Sequence, residues 1–246
     1  MNVFITGGSR GIGRAIVLKF AESGWGCAFT YAGNEIAAKE TLEAAKKINP
    51  DGKFVCYKMD VKNVTEVENT IETAIGDYEN IQAVVNNAAI VANNAAALMS
   101  DEEWDSVIAT NLSGPFYVIR SLLMHFISNR YGRIINISSL AQDGCSGQAN
   151  YAASKSGLVG LTNTIAREYG SKGITANIVT VGYVPTDMTD AHLIQKLHDV
   201  WMAYCPIKRP GTAEEIAGMV HYLTTEPGGF INGEVIRVAG GLTYIP

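Results

Sequence analysis

The sequence predicts an α/β protein, a doubly wound sheet of about seven parallel strands with helices on both faces. Three observations predict it. Short apolar runs alternate with segments of helical periodicity along the whole chain. The first run leads into a glycine-rich turn, Thr6-Gly7-Gly8-Ser9-Arg10-Gly11-Ile12-Gly13. Later runs end in small polar residues, Asn86-Asn87-Ala88-Ala89 and Ser138-Ser139, where strands of an open parallel sheet border a ligand crevice.

Bulk properties bound the function. With 246 residues, 47% of them hydrophobic, the chain can bury a sizeable core, and no Pro-, Ser- or charge-rich linker divides it, so 1–246 reads as one domain. A formal charge of −5 argues against a nucleic-acid-binding surface and for small molecules or protein partners. Cys27, Cys56, Cys145 and Cys205 form no Cys-x-x-Cys and have no nearby histidine at a metal-ligand spacing, which predicts free thiols, a reducing compartment and no metal. The N-terminus lacks the charged start and apolar stretch of a signal peptide, and no run approaches the roughly 18 apolar residues of a membrane span. A cytoplasmic protein is expected.

The first strand, 3–6, runs through the glycine turn into a helix with Ile16, Val17 and Phe20 on its apolar side. Glycines permit close backbone approach there, and free N–H groups at the helix start face a pyrophosphate. Gly7, Ser9, Arg10, Gly11, Ile12 and Gly13 are thus candidate cofactor-binding residues. The second strand, 27–31, has no acid at its end to hold the ribose 2′-hydroxyl of NAD, whereas Arg10 can meet a 2′-phosphate, which favours NADP. Glu35 lies nearby, but it reads as the start of the helix 35–48, at its favourable negative end.

A third strand, 54–59, reaches Asp60-Val61, and a helix over 64–75 follows. The fourth, 81–85, leads into Asn86-Asn87. Residues 101–126 read as one long helical stretch kinked at Pro115, with Ser100 as N-cap and Glu103 closing a capping box. Asn111 sits at its middle, either a satisfied core amide or a site residue. The fifth strand is 133–137. In the helix that follows, Ala152, Ala153, Ser156, Gly157 and Gly160 are small enough for close packing, within the chain or against another subunit. The sixth strand spans 174–181 and the seventh 234–238, with a helix over 213–223 between them. Between the sixth strand and that helix, Leu193, Leu197, Trp201 and Tyr204 recur at helical spacing, predicting a helical flap around 185–210 that is core packing or a substrate lid. His125, His192, His198 and His221 share no metal-like spacing.

The chemistry concentrates between Ser138 and Lys155. Tyr151 and Lys155, four apart on a helix, share a face, and an ammonium beside a phenol favours the phenolate. Tyr-x-x-x-Lys recurs at Tyr204 and Lys208, but Pro206 lies inside that copy.

Together with Thr-Gly-Gly-Ser-Arg-Gly-Ile-Gly, Asn86-Asn87-Ala88 and Asn111, these residues resemble the short-chain dehydrogenase/reductase family, from Val3 to about Gly241. Glu102-Glu103-Trp104, Gly147-Gln148-Ala149-Asn150-Tyr151, Arg167-Glu168 and Thr186-Asp187-Met188-Thr189 resemble its 3-oxoacyl-[acyl-carrier-protein] reductases. The resemblance implies a Rossmann-type fold and a catalytic tetrad of Asn111, Ser138, Tyr151 and Lys155, with Ser138, thirteen residues before Tyr151, preferred to Ser139. It also implies that Asp60 and Val61 contact the adenine, Asn87 lies beside the adenosine ribose, Lys155 holds the nicotinamide ribose, and Gly182, Val184 and Thr186 lie near the nicotinamide. Two positions depart from the family pattern. Ala89 replaces a glycine, at a cost of roughly 1–2 kcal/mol if its backbone is left-handed, and Val181 replaces a proline.

The implied reaction is reduction of a ketone, a 3-oxoacyl thioester on an acyl carrier protein. Hydride comes from NADPH, Ser138 binds the carbonyl, Tyr151 protonates it, Lys155 tunes Tyr151, and Asn111 anchors a water that resupplies the proton. Arg130 and Lys172 are placed by the resemblance near the site entrance as a basic patch for the acidic carrier, and a homotetramer is implied, a hetero-oligomer remaining open. Two other readings are a dehydrogenase of a free secondary alcohol and an idle binding subunit.

Overall fold

In the computed structural model, which describes residues 1–186 and 199–245, the apolar runs become seven strands. These are β1 (Asn2–Ile5), β2 (Gly26–Tyr31), β3 (Phe54–Lys58), β4 (Ala83–Asn86), β5 (Gly132–Ser139), β6 (Ile174–Val181) and β7 (Val235–Val238). They pair in parallel in the order β3-β2-β1-β4-β5-β6-β7, the Rossmann-like arrangement expected. A sheet covered on both faces needs strands that are apolar on both sides, and β1 is the clearest case. Val3 and Ile5 point into one core layer and Phe4 into the other.

The first layer is built by α1 (Gly11–Glu22), α2 (Glu35–Ile48) and a C-terminal helix, α7 (Ala213–Thr224), through Ile16, Phe20, Ala38, Ile216 and Val220. The second is built by α3 (Val64–Tyr78), α5 (Gly114–Asn129) and α6 (Ala149–Tyr169), through Ile71, Leu122, Phe126 and Ile165. Each large apolar side chain withdrawn from water in this way contributes about 1.5–3 kcal/mol. Residues 199–204 are helical; the rest of the predicted flap's stripe, Leu193 and Leu197, lies outside the described residues, as do Asp187, Met188, Thr189, His192 and His198.

The long helical stretch starts as expected. Ser100 Oγ accepts from Glu103 N at 3.1 Å, while Glu103 Oε2 accepts from Ser100 N at 2.8 Å, opening α4 (Asp101–Ile108). Its irregularity is not a kink at Pro115. It is a π turn, Ala109–Ser113, closed by Gly114 N donating to Ala109 O, and Pro115 sits in the first turn of α5, where a missing N–H is tolerated. Pro115 also offers no N–H to the carbonyl of Asn111, four residues earlier. The run Asp101–Asn129 is, against expectation, long and apolar enough to cross a membrane by length and composition alone. Its Val118, Ile119, Leu122 and Phe126 are spent on the second core layer.

Two predicted bounds shift in ways that matter. β5 runs on through Ser138 and Ser139, so both serines obey strand alternation. Ala89 is not left-handed: among the described residues, only Glu79, Arg130 and Lys208 combine positive φ with a side chain, and the expected strain is absent.

Candidate active site

At the C-terminal ends of β1, β4, β5 and β6 lies a cavity of about 640 Å³, bordered at one end by Arg10 and Asp60 and at the other by Tyr183 and Trp201. The glycine turn forms its floor. Gly7 and Gly11 have φ of +67° and +54°, which glycine adopts without cost, and a Cβ on Gly13 would overlap the carbonyl oxygen of Gly7. Asn87 fastens the turn to β4: its Nδ2 donates to Thr6 O at 3.1 Å and Gly7 O at 3.0 Å, while its own N–H donates to Thr6 Oγ1 at 3.0 Å. The cavity's length, the glycine cradle and the start of α1 fit a dinucleotide.

Ser9, Ile12, Val61, Gly182, Val184 and Thr186 also border the cavity, where the sequence expected a cofactor. Arg10, exposed, is the N-cap residue of α1. Glu35 is not part of the wall; it opens α2 and pairs with Lys39 at 2.7 Å, an ammonium that holds its carboxyl below the usual range. Gly182 N donates to Val238 O at 3.1 Å, and a Cβ there would meet Ala239 Cα at 2.6 Å. Pairing of Val181 with Val238 thus carries the chain past the position that lacks proline.

Tyr151 and Lys155 project from the first turns of α6. Lys155 is buried, donates from Nζ to Ile137 O at 2.9 Å, and lies 5.6 Å from the centre of the Tyr151 ring. The expected lowering of the phenol is not found. Burial outweighs the neighbouring amine and pushes Tyr151 up to about 12, opposed by a hydrogen bond from Ser139 and reinforced by Cys145. Burial likewise lowers Lys155 to about 8. The second Tyr-x-x-x-Lys does something else: Lys208 Nζ donates to the carbonyls of Met202 and Ala203, capping the end of a helix.

The Lys155 shift has a measurable sign. From about pH 8 to its ordinary value of 10.5, the unfolded chain holds the proton and the folded one does not, so stability rises with pH across that window. The expected result is that wild type melts below Lys155→Met by most under pH 8, with the gap narrowing towards pH 10.5. A gap constant with pH, measured by circular dichroism, would contradict the shift.

The two serines part company. Ser138 is buried and borders the cavity, and its Oγ donates to Gln142 Oε1 at 2.8 Å and to Lys155 O at 3.4 Å. Ser139, the last residue of β5, is the one that hydrogen-bonds the phenol. Both serines border the cavity, and Ser139, not the expected Ser138, is the one that acts on the phenol. Counting thirteen residues back from Tyr151 ignores the path of the Leu140–Asp143 turn, whereas alternation along β5 turns neighbouring side chains to opposite sides.

Asn111 is fully buried and bordered by the site rather than open to it. Its amide donates to Ile90 O at 2.9 Å and Ser154 Oγ at 3.3 Å and accepts from Ile90 N at 2.9 Å, tying the π turn to the chain after β4. Arg130 and Lys172 are also corrected. Arg130 is the C-cap residue of α5 and Lys172 follows α6, at the edge where β5 and β6 begin, not at the cavity. The 21 residues of α6 put roughly 30 Å between Lys172 and Tyr151 of one chain. The sequence reading weighs Ser139 and sets it aside; the residues it gives no role are Thr6, Gln142 and Asn150, whose buried amide donates to Ala92 O and Glu103 O.

Comparison with known proteins agrees with this geometry. A family model described as enoyl-(acyl carrier protein) reductase matches residues 7–243. A 3-oxoacyl-[acyl-carrier-protein] reductase of Staphylococcus epidermidis is 38% identical over 98% of both chains. One from Synechocystis is 36% identical over 97% of this chain and 95% of its own. Among solved structures, levodione reductase superposes with a TM-score of 0.93 at 29% identity, covering 98% of this chain and 96% of its own.

Proposed function

Because the chain belongs to the short-chain dehydrogenase/reductase family, a family of oxidoreductases, we propose that it reduces a 3-oxoacyl thioester on an acyl carrier protein with NADPH. The observation that carries ketone reduction is the convergence of the Tyr151 phenol and the Ser139 hydroxyl at the cavity. The substrate rests on the names of the relatives.

A bound nicotinamide supplies the hydride. Ser139 donates a hydrogen bond to the substrate oxygen, where negative charge develops. Tyr151, kept protonated by burial, gives its proton to that oxygen. Lys155, anchored on Ile137 O, places positive charge beneath the phenol and towards the nicotinamide ribose. The carbonyl of Asn111, to which Pro115 offers no donor, holds the water that returns the proton.

NADPH is favoured over NADH because the second strand leads into Ala32-Gly33-Asn34, without an acid, and Arg10 borders the same cavity. Replacing Arg10 by Ala should raise the NADPH dissociation constant roughly 10- to 100-fold, the loss of a charge-assisted hydrogen bond, and leave NADH nearly unchanged. Fluorescence titration with both nucleotides checks this; equal losses would return the cofactor to either form.

Carrier docking at Arg130 and Lys172 serves a site on another subunit, since their own lies about 30 Å away along α6. A homotetramer suits this reading, with Phe116 and Met124 exposed on α5 for subunit contact. Four free cysteines suit a cytoplasmic setting. The fold match to levodione reductase favours a second reading, reduction of a free ketone. Following NADPH oxidation with 3-oxoacyl thioesters on carrier protein, on a short thiol and with a cyclic diketone tests both. Preference for the carrier-bound thioester supports the first, preference for the diketone the second.

A further inference from the structure

We propose that Gln142 is a positioning residue whose side-chain oxygen clamps the ends of β5 and β6 together and so holds Ser139 against Tyr151. This rests on the roles given above to Ser139 and Tyr151. Ser138 and Thr180 are register partners in the β5–β6 ladder. Both hydroxyls donate to the same acceptor, Gln142 Oε1, Ser138 at 2.8 Å and Thr180 at 3.2 Å. All three side chains are buried, with exposures of 2%, 0% and 9% for Ser138, Thr180 and Gln142. Losing the shared acceptor would therefore leave the Thr180 hydroxyl without its acceptor away from water and the Ser138 hydroxyl with only its longer bond to Lys155 O at 3.4 Å.

The next rung of the ladder is Ser139 opposite Val181, and both border the cavity. Gln142 comes from the short turn Leu140–Asp143, which begins where Ser139 Oγ accepts from Ala141 N at 3.2 Å. A single amide thus joins the end of β5, the turn after it and the end of β6. Val181 gives the chain no fixed φ at that place, so the strand end takes its stiffness from elsewhere. The clamp supplies it. Ser138, the serine that does not meet the phenol, gains a function here as one of the two donors.

The test compares Gln142→Met, which keeps length and loses the acceptor, with Gln142→Glu, which keeps the acceptor. Each is assayed as full-length protein saturated with NADPH and the ketone that wild type turns over best. Gln142→Met is expected to lose kcat about 10- to 100-fold, as a misplaced catalytic group does, with KM and the NADPH dissociation constant within about twofold. Gln142→Glu is expected to stay within about threefold of wild type on the same grounds. A crystal structure of Gln142→Met should show Ser139 beyond hydrogen-bonding distance of Tyr151. If Gln142→Met does not fold, Thr180→Val combined with Ser138→Ala removes both donors and carries the same expectations. Wild-type kcat in the Met variant, equal losses in Met and Glu, a parallel loss of NADPH affinity, or an unmoved Ser139 would each overturn the clamp. A wild type inactive on every ketone would instead overturn the reading of the site, while the crystallographic comparison would still judge Gln142.

Discussion

Tyr151→Phe is expected to lower ketone turnover by about 10³-fold or more while NADPH still binds within twofold of wild type. The reasoning is chemical: the substitution removes one oxygen and its proton, and a positioned general acid is worth roughly 10²–10⁴-fold. Packing barely changes, because the ring remains on α6 beside Lys155. The phenol's high value sharpens the expectation. At about 12 it is protonated throughout the physiological range, so the folded protein keeps its acid loaded, and a fall in the reduction rate near pH 8 reports the loss of the Lys155 proton rather than of the phenol's. Stopped-flow NADPH oxidation and fluorescence titration separate the two quantities. Near-normal turnover in Tyr151→Phe would remove Tyr151 from the reaction.

The second large effect separates the two serines. Ser139→Ala should cost about 10²–10³ in kcat, the usual price of removing a hydrogen bond to a developing oxyanion. Ser138→Ala should cost less, because its buried hydroxyl, although it borders the cavity, donates to Gln142 Oε1 and to Lys155 O. Steady-state kinetics on the two single variants decides the matter. The reverse order would restore Ser138 and imply that Ser139's hydrogen bond to Tyr151 is incidental.

What could be read from the sequence was whatever depends on local chemistry. The glycine turn was legible because no side chain fits at Gly13, and the start of α4 because Ser100 and Glu103 satisfy each other's backbone. The convergence of Ser139, Tyr151 and Lys155 was half legible. Helical spacing put Tyr151 and Lys155 together, but the serine depended on the path of a loop that residue counting cannot follow. The Tyr151 shift was misjudged because a pair viewed alone shows its charge and hides its burial, and burial dominates here. Arg130 and Lys172 were misplaced for a related reason: likeness of sequence carries residues but does not show that α5 and α6 end at the edge where β5 and β6 begin, away from the cavity.

The strand order has a consequence for synthesis. Val3 on β1 pairs with Cys27 on one side and with Ala83 on the other. As the chain leaves the ribosome, β1 finds its first neighbour early and then waits through about 55 residues, from Tyr31 to Asn86, for its second. At roughly 5–20 residues per second that wait lasts roughly 3–11 s. For those seconds the nascent chain carries an unpaired, mostly apolar strand edge, the kind that recruits other chains. The half built around the glycine turn is therefore the protein's most aggregation-exposed part during translation, and the half that carries Tyr151 and Lys155, made last, is what closes it.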